Sequence, residues 1–426
     1  MRVLWFSNAP TDEAINHLGG KPLNIASWII SLHEEISIQP EIEMGFVFKY
    51  GSFNELEFRI NQTDYFCVPN YFSSFERVIN KFSHNVDSDR QLKIYNNIIT
   101  NFKPDVIHIF GTENNYGLIL NSTNIPTIIQ MQGIISNYKL YYFQAISRIS
   151  IFLKTSLLTH LKRSTPIDSY KKFQNQSIRE IEILKKVKYI IGFTDFDRRI
   201  STLFNNPQYF KIPWLLRKPF NENIWNHPGG DKFLVSITIN PNIYKGLETI
   251  YRISATLNFI HPGKFIFNII GISRDSSLNY LIHKMLKKER LIFGEINFCG
   301  NLNAEQLMNE LLKSHALLHP SLCDTSPNSI CEAMILGMPV VATNVGGIPS
   351  LIEDRKTGFL VQSLDYLSMA SILIELANNP ELSKKIGKEA RFYAKNKHEK
   401  GNIVKETIKA YNIAIHDSFI SNNDKL

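Results

Sequence analysis

"ALLHPSLCDTSPNSICEAMILGMPVVATN", residues 316–344, decides the fold. "ALLHPS" is a short apolar run of the kind that forms a strand buried on both faces. Cys323, Asp324 and Thr325 read as the loop after it. Ser326 is a residue type that caps helices, and Pro327 suits a first helical position, where its missing N–H costs nothing. "NSICEAMIL" reads as a helix ending at Gly337, a suitable left-handed cap, and Pro339 leads into the strand "PVVATN". Strand, loop, helix and strand make one unit of a parallel α/β sheet. Ligands bind at the carboxyl edge of such a sheet. A helix start at that edge carries about half a positive charge and favours phosphate.

The same rhythm runs outward in both directions. Before this unit come "FLVSITI" (233–239), "FIFNIIGI" (265–272) and "INFCG" (296–300), and after it "GFLV" (358–361). From about residue 364 onward the pattern is helical, with no further strand. The first half repeats the theme with "VLWF" (3–6), "MGFVF" (44–48), "VIHIF" (106–110), "PTIIQMQG" (126–133) and "YIIGF" (189–193). Helical patterns lie between them, such as "NIASWIISLHEEI", where Ile25, Ile29 and Leu32 share a face. Between the halves, "IPWLLRKPFNENIWNHPGGDK" (212–232) holds three prolines and a Gly-Gly, and reads as a linker that interrupts helix and strand. The expectation is α/β: two doubly wound, Rossmann-like sheets.

Composition narrows the class. At 426 residues, 44% hydrophobic and 20% charged, the chain is an ordinary globular protein with room for two or three domains. A net charge of +8 is too modest and too scattered to imply nucleic acid, but suits an anionic substrate or an acidic membrane surface. Cys67, Cys299, Cys323 and Cys331 have neither CxxC nor zinc spacing, and reduced thiols in a cytoplasmic protein are the simplest reading. The N-terminal apolar run is too short for a secretory signal. No apolar run reaches the ~18 residues of a membrane span, so any membrane contact is expected to be peripheral.

The two acids of the opening stretch have a place in this scheme. Glu332 lies six residues past Ser326, which is about 9 Å along a helix at 1.5 Å per residue. Its side chain tilts back toward the helix start. With a diphosphate at that start, Glu332 would meet a ribose on one side and Asp324 a sugar on the other. Carboxylates accept paired hydrogen bonds from vicinal hydroxyls. Taken singly, each acid has a plainer reading, Asp324 as a turn residue and Glu332 as a solvated helix face.

The stretch from about 296 to 363 resembles the retaining glycosyltransferases of family 4, the group 1 glycosyl transferases of GT-B fold. "FCGNLNAEQLMNELLKSHALLHPS" and "DTSPNSICEAMILGMPVVATNVGGIPSLIEDRKTGFLV" carry the likeness. The family's E-x7-E motif stands here as D-x7-E, with Asp324 in place of the first Glu. The resemblance implies that Glu332 holds the ribose. It implies that Asp324 and the backbone of Ser326, Pro327 and Asn328 meet donor sugar and diphosphate. "SITINPNIYKG" keeps the family's Lys-Gly as Lys245-Gly246, which would meet the diphosphate, but has Ile239 and Asn240 where members carry an Arg. Arg217 in the linker is a candidate replacement. Lys245, Asp324 and Glu332 are thus the implied catalytic residues.

In the first half "HLGGKPLNIASWI" looks like the family's glycine loop, which places Gly19 and Gly20 near the acceptor. "KPDVIHIFGTE" and "PTIIQMQG" match two strand ends, with Gln132-Gly133 where many members have His-Gly. "IIGFTDFDRR" resembles a turn of surface-polysaccharide members, although Thr194 and Asp197 also fit a capping box. The implied domains are 1–214 for the acceptor, 215–398 for the nucleotide sugar, and a C-terminal helix in 399–426 returning to the first, with a cleft between the two.

Other signals are weaker. Asp87-Ser88-Asp89 and Asp195-Phe196-Asp197 spell DxD, but three-residue patterns arise by chance, and the stretch at 195–197 fits a helix cap. There is no GxGxxG after a strand, no GxSxG and no P-loop. His108 and His319 sit on strands, where a satisfied strand histidine is the default. Segment 136–172 has seven basic residues against one acid, Asp168, among many aromatic and aliphatic side chains. It reads either as an interfacial element on anionic lipid or as a packed helical hairpin with solvated lysines.

The sequence therefore points to a retaining, metal-independent glycosyltransferase. It would move a sugar, hexosyl or related, from a nucleotide diphosphate donor to a hydroxyl of a saccharide or lipid-linked saccharide. No cofactor or metal is expected, the nucleotide sugar being a substrate. A leaving phosphate that takes the acceptor proton would need no protein base, which suits Gln132. The setting implied is polysaccharide or glycolipid assembly in the cytoplasm, with peripheral contact at the inner membrane face left open. The rival readings are a GT-B sugar-nucleotide epimerase and a non-catalytic relative that binds sugar nucleotides.

Overall fold

The computed structural model describes residues 1–20, 27–51, 54–84 and 87–423. Ile25, expected on one helix face with Ile29 and Leu32, lies outside them. Fourteen strands form two sheets. The first sheet holds β1 (Arg2–Ser7), β2 (Glu43–Tyr50), β3 (Leu56–Ile60), β4 (Thr63–Pro69), β5 (Val106–Phe110), β6 (Thr127–Gln130), β7 (Tyr189–Gly192) and β8 (Gln208–Lys211). Its order is β3-β4-β2-β1-β5-β6-β7-β8, parallel except for the β3–β4 hairpin. The second sheet holds β9 (Phe233–Thr238), β10 (Phe265–Ile270), β11 (Glu295–Gly300), β12 (Ala316–His319), β13 (Val340–Thr343) and β14 (Phe359–Val361). Its order, β11-β10-β9-β12-β13-β14, is parallel throughout and is that of a doubly wound dinucleotide-type sheet.

Continuous apolar runs form these strands because helices cover both faces of each sheet. Val3, Leu4, Trp5 and Phe6 of β1 are all fully buried, as are Leu317 and Leu318 of β12. The strands that the sequence reading does not anticipate are β3, β4 and β8. β3 and β8 hold only exposed and half-buried residues, and each lies at an edge of its sheet. The linker region also holds one short helix, Lys218–Glu222, with Pro219 in its first turn, where proline is tolerated.

By packing, the chain divides into two units. One holds residues 1–136, 171–215 and 399–426, the other 137–170 and 216–398. Segment 137–170 thus packs with the second sheet. The C-terminal helix Lys400–Asn423 belongs to the first unit, where it lies against the helix Ser27–Ile36 and strands β5 and β6.

Tyr411 anchors that last helix. Its hydroxyl accepts from Trp5 Nε1 at 3.0 Å and meets His108 Nδ1 at 2.7 Å, all three side chains being buried. Burial pulls His108 down to about 3, so the imidazole is neutral and Nδ1 accepts from the tyrosine. The interior of β5 thus holds a histidine whose Nδ1 is satisfied by a distant helix, while Nε2 is buried without a hydrogen-bond partner among the described residues. Tyr411→Phe would leave Trp5 Nε1–H and His108 Nδ1 buried without partners. The expected cost is about 1–3 kcal/mol, read as a lowered urea midpoint; an unchanged midpoint would discount the anchor.

Candidate active site

The second sheet reverses its winding between β9 and β12. These two strands pair only at Ala316–Val235 and Leu317–Ser236, whereas β9 and β10 pair along six residues. Their carboxyl ends are therefore free to separate, and at such a switch point an open α/β sheet takes its ligands.

β9 leads into a short 3-10 turn, Ile243–Lys245, which ends at Gly246 in the left-handed conformation. A Cβ on Gly246 would lie 2.2 Å from Pro320 O, so the backbone of this turn passes directly against the loop that leaves β12. That approach brings Lys245 to the loop. Its Nζ lies 2.5 Å from Asp324 Oδ2, with side chains 14% and 7% exposed. His319, the last residue of β12, places Nε2 3.0 Å from the same oxygen and 3.1 Å from Ser321 Oγ. Burial alone would raise the Asp324 carboxyl. The Lys245 ammonium and His319 outweigh burial and hold it well below the usual carboxylate range. An ionised Asp324 only accepts, so His319 carries its proton on Nε2; the buried Nδ1 has no protein partner.

The Asp324 loop is held from below and above. Gly346, at φ +53, passes so close that a Cβ would fall 1.9 Å from Asp324 O, and the next residue's N–H donates to that oxygen at 2.9 Å. Thr343 Oγ1 donates to Ser321 O at 2.6 Å. Tyr138 meets Thr325 Oγ1 at 3.1 Å and stacks on Tyr244 with ring centroids 5.2 Å apart. Asn137 accepts from Cys323 Sγ at 3.3 Å. Segment 137–170 therefore forms one wall of this loop, which sequence spacing gave no means to foresee.

The helix after the loop is Asn328–Leu336. It starts one residue later than expected. Pro327, extended at ψ 120, is the N-cap itself and makes no side-chain cap, and Ser326 lies outside the helix. Gly337 ends it at φ +92, donating to Ala333 O and Met334 O. Glu332 is 4% exposed, so it is not a solvated helix face. Arg217 grips it with both arms of its fork, Nε to Oε1 at 2.6 Å and Nη2 to Oε2 at 2.8 Å. Arg217 thus stands on the acid expected at the ribose rather than on Asp324.

Residues 218–392 match the family model of the glycosyl transferases group 1. That stretch lies wholly within the second unit, which is thus similar to a glycosyl transferase group 1 domain. Among curated proteins, it is similar to the D-inositol 3-phosphate glycosyltransferase of Streptomyces scabiei, 31% identical over 122 residues, which are 29% of this chain and 27% of that protein. It is also similar to the sulfoquinovosyl transferase of Arabidopsis thaliana, 35% identical over 97 residues, 22% and 19% of the two chains. The chain thus spans about a quarter or less of the length of these relatives. Sucrose-phosphate synthase from Thermosynechococcus elongatus superposes with a TM-score of 0.73 at 13% identity, covering 98% of this chain and 100% of that one. Anabaena HepE in complex with UDP-glucose gives 0.62 at 13% identity, covering 96% and 100%. At such identities the likeness is one of fold, and the fold is the GT-B fold with its two Rossmann-like domains.

The second unit brings Lys245, Gly246 and Asp324 together as the motif spacing suggested, and sets Glu332 in the helix that follows. In the first unit, Gly19 and Gly20 close the helix Asp12–His17, with Gly19 at φ +72 and Gly20 N–H donating to Ile15 O. No hydrogen bond joins them to Gln132 or Gly133 among the described residues. Gln132 and Gly133 instead meet Glu113 and Asn8, which the sequence reading did not single out. Gly133 N–H donates to Glu113 Oε1 at 2.9 Å, while Asn8 Nδ2 donates to Glu113 Oε2 at 3.2 Å and Gln132 Oε1 at 3.1 Å. Burial, and then the charge of Glu180, raise Glu113 to about 7. The cluster stands where β1 and β5 mark the switch point of the first sheet. A strand end followed by "GTEN" was the one available signal.

Of the two DxD stretches, Asp197 closes a capping box with Thr194, and Asp87 pairs with Arg179.

The Lys245–Asp324 pair makes a pH prediction. The depressed Asp324 stabilises the native fold at any pH above the unfolded carboxylate value of about 4, and this is lost as pH falls through the folded value. In Lys245→Met burial remains without its cation, so the carboxyl rises above its unfolded value and destabilises the fold as pH climbs. The expected penalty near pH 7 is about 3–5 kcal/mol, relieved toward pH 4. Urea midpoints of both proteins between pH 4 and 8 check the sign.

Proposed function

We propose that this protein is a retaining glycosyltransferase that takes its sugar from a nucleoside diphosphate donor held by the second unit. The observation that carries the reading is the Lys245–Asp324 pair at the β9–β12 switch point, directly before a helix start whose N-cap is Pro327. Sugar transfer from such a donor leaves a diphosphate, and stabilising its charge is the main catalytic task. Lys245 and the first turn of the helix Asn328–Leu336 supply positive potential for it. Lys245 swings from Asp324 to phosphate as the donor enters, and Asp324 is then released to the sugar hydroxyls. Gly246, Ser326, Pro327 and Asn328 contribute backbone beside the diphosphate. Because Lys245 supplies the cation, the reaction proposed needs no metal.

Glu332 accepts from the ribose hydroxyls. Arg217 uses one lone pair on each of its oxygens, and a carboxylate has about four in all. Gly19, Gly20, Gln132 and Gly133 are proposed on the acceptor side, the acceptor being a saccharide or lipid-linked saccharide. The names of the two curated relatives given above, both transferases, support transfer and lend nothing to the epimerase or to a non-catalytic binder. HepE, with UDP-glucose in its crystals, makes UDP-sugars the first donors to try.

The test is calorimetric. The native protein should bind UDP more tightly than 2′,3′-dideoxyuridine diphosphate by about 1.5–3 kcal/mol, as for hydrogen bonds to a charged group. Glu332→Gln should erase most of that difference while retaining its fold. Equal affinities in the native protein would remove the ribose role from Glu332.

Segment 137–170 supports a second element, peripheral contact with anionic lipid. Among the described residues no helix is long and apolar enough to cross a membrane. The helices Arg148–Lys154 and Leu157–Leu161 nevertheless expose Ile149, Phe152, Leu153, Leu157, Leu158 and Leu161. Arg148, Lys162 and Arg163 are exposed beside them. A monomer surface rarely leaves such a patch without a partner, and a basic rim suits an acidic bilayer. Vesicle binding should rise with anionic lipid, and Lys162→Gln should weaken it by about 1 kcal/mol. Equal binding to neutral and anionic vesicles would leave the basic rim without this role.

A further inference from the structure

A second polar centre lies in the first unit, at the carboxyl ends of β2 and β4. A cavity of about 100 Å³ is lined there by Lys49, Asn70, Glu113, Asn114, Lys172 and Gln176, among other residues. Three cations gather around it. Lys49 stands near the end of β2, its ammonium donating to the neutral Asn115 Oδ1 at 2.8 Å and lying 5.2 Å from the centre of the Tyr116 ring. Among the described residues no carboxylate lies within ion-pair distance of it. Arg179, 3% exposed, pairs with Asp87 and donates to Glu113 O. Lys172 completes the set from the same helix, Pro166–Leu184.

A buried ammonium with no anion in contact is costly, and the carboxylate of Asp87, which lines the same cavity, offsets only part of that cost. Burial, then the charge of Arg179, bring Lys49 down to about 7. The neighbouring polar atoms are also incompletely used. Gln176 is 8% exposed and donates through Nε2 to Glu113 O at 2.9 Å, but its Oε1 has no partner in the protein. Arg179 Nε is buried without one as well. Buried polar groups are as a rule paired, so spare cationic donors beside a spare acceptor need an explanation. The spare cation calls for an anion, and the spare acceptor calls for a hydroxyl. The volume suits a small tetrahedral anion.

We propose that this cavity binds a phosphate monoester, with Lys49 as ionic partner of the phosphate and Gln176 Oε1 accepting from a hydroxyl of the group that carries it. On the glycosyl-transfer reading this makes the acceptor a phosphorylated saccharide. Only that last step rests on the proposed function; the binding claim concerns the first unit alone.

The experiment titrates the full chain by calorimetry with inorganic phosphate, glucose 6-phosphate and glucose, with UDP present in excess to occupy phosphate sites around Lys245. Glucose 6-phosphate should bind more tightly than inorganic phosphate, and glucose should give no heat. Lys49→Gln should weaken glucose 6-phosphate at least tenfold, about 1.4 kcal/mol, with UDP affinity unchanged. Gln176→Leu should weaken glucose 6-phosphate and leave inorganic phosphate as it was, which a general loosening of the fold would not do. Tighter binding of inorganic phosphate than of the sugar phosphate would assign the cavity to the free ion and overturn the monoester. Equal affinity of native protein and Lys49→Gln for glucose 6-phosphate would overturn the site. Failure of UDP to bind would instead count against the donor reading, and the phosphate titrations without UDP would still decide this one.

Discussion

Asp324 and Glu332 are buried in the second unit, and neither would be tolerated there alone. An uncompensated buried charge costs several kcal/mol, so each acid must carry its own cation into the fold. Asp324 has Lys245, and Glu332 has Arg217. Both pairs bind elements distant in sequence. Lys245 ties the turn after β9 to the loop after β12, and Arg217 ties the residues before the helix Lys218–Glu222 to the helix Asn328–Leu336. The backbone follows the same demand, since Gly246 and Gly346 clear the approaches that a side chain would block. The geometry of the switch point therefore depends on where two charges can be neutralised.

Such pairs are weak evidence for stability, because well-packed apolar residues of similar volume often serve the fold as well or better. A reason for keeping them lies in what they can exchange. A lysine that leaves a carboxylate for a diphosphate trades one anion for another and is never left bare. His319 keeps Asp324 hydrogen-bonded throughout. On the proposed reading, the resting pair prepares the site by holding both partners at the positions that the donor will use.

Much of this plan was legible in the residues. Continuous apolar runs such as those of β1, β5 and β12 can only be strands buried on both faces, and their alternation with helical periods leaves a doubly wound sheet as the economical fold. The edge strands of the first sheet were not legible, because β3 and β8 are half-solvated and carry no such run. Asp324 and Glu332 stood out as two acids flanking a helix start, and Lys245 through the resemblance of Lys245-Gly246 to the family's Lys-Gly. The partners did not. Arg217 lies 115 residues from Glu332, and Lys245 79 from Asp324; periodicity speaks only of neighbours within a few turns. The same limit hid Tyr411 behind His108, and Tyr138 above Thr325.

Glu113 shows the limit most sharply. On its strand end it is one acid in a polar tetrapeptide, with nothing in its spacing to mark it. Its character comes from four other segments. Asn8 and Gly133 donate to it, Arg179 and Gln176 fix its backbone, and Glu180 raises it by charge while itself accepting from Thr112 Oγ1 and the N–H groups of Ile135 and Ser136. The two switch points thus solve the burial of acids differently. At β9–β12 each carboxylate stays charged because a cation is brought to it. At β1–β5 amides and a backbone N–H surround the carboxyl, Arg179 is engaged by Asp87 and by backbone oxygens, and burial moves the proton affinity to about 7. A centre of the first kind suits a ligand that arrives with its own negative charge. A centre of the second kind suits neutral hydroxyls, because it can accept or donate a hydrogen bond near neutral pH without a change in net charge nearby.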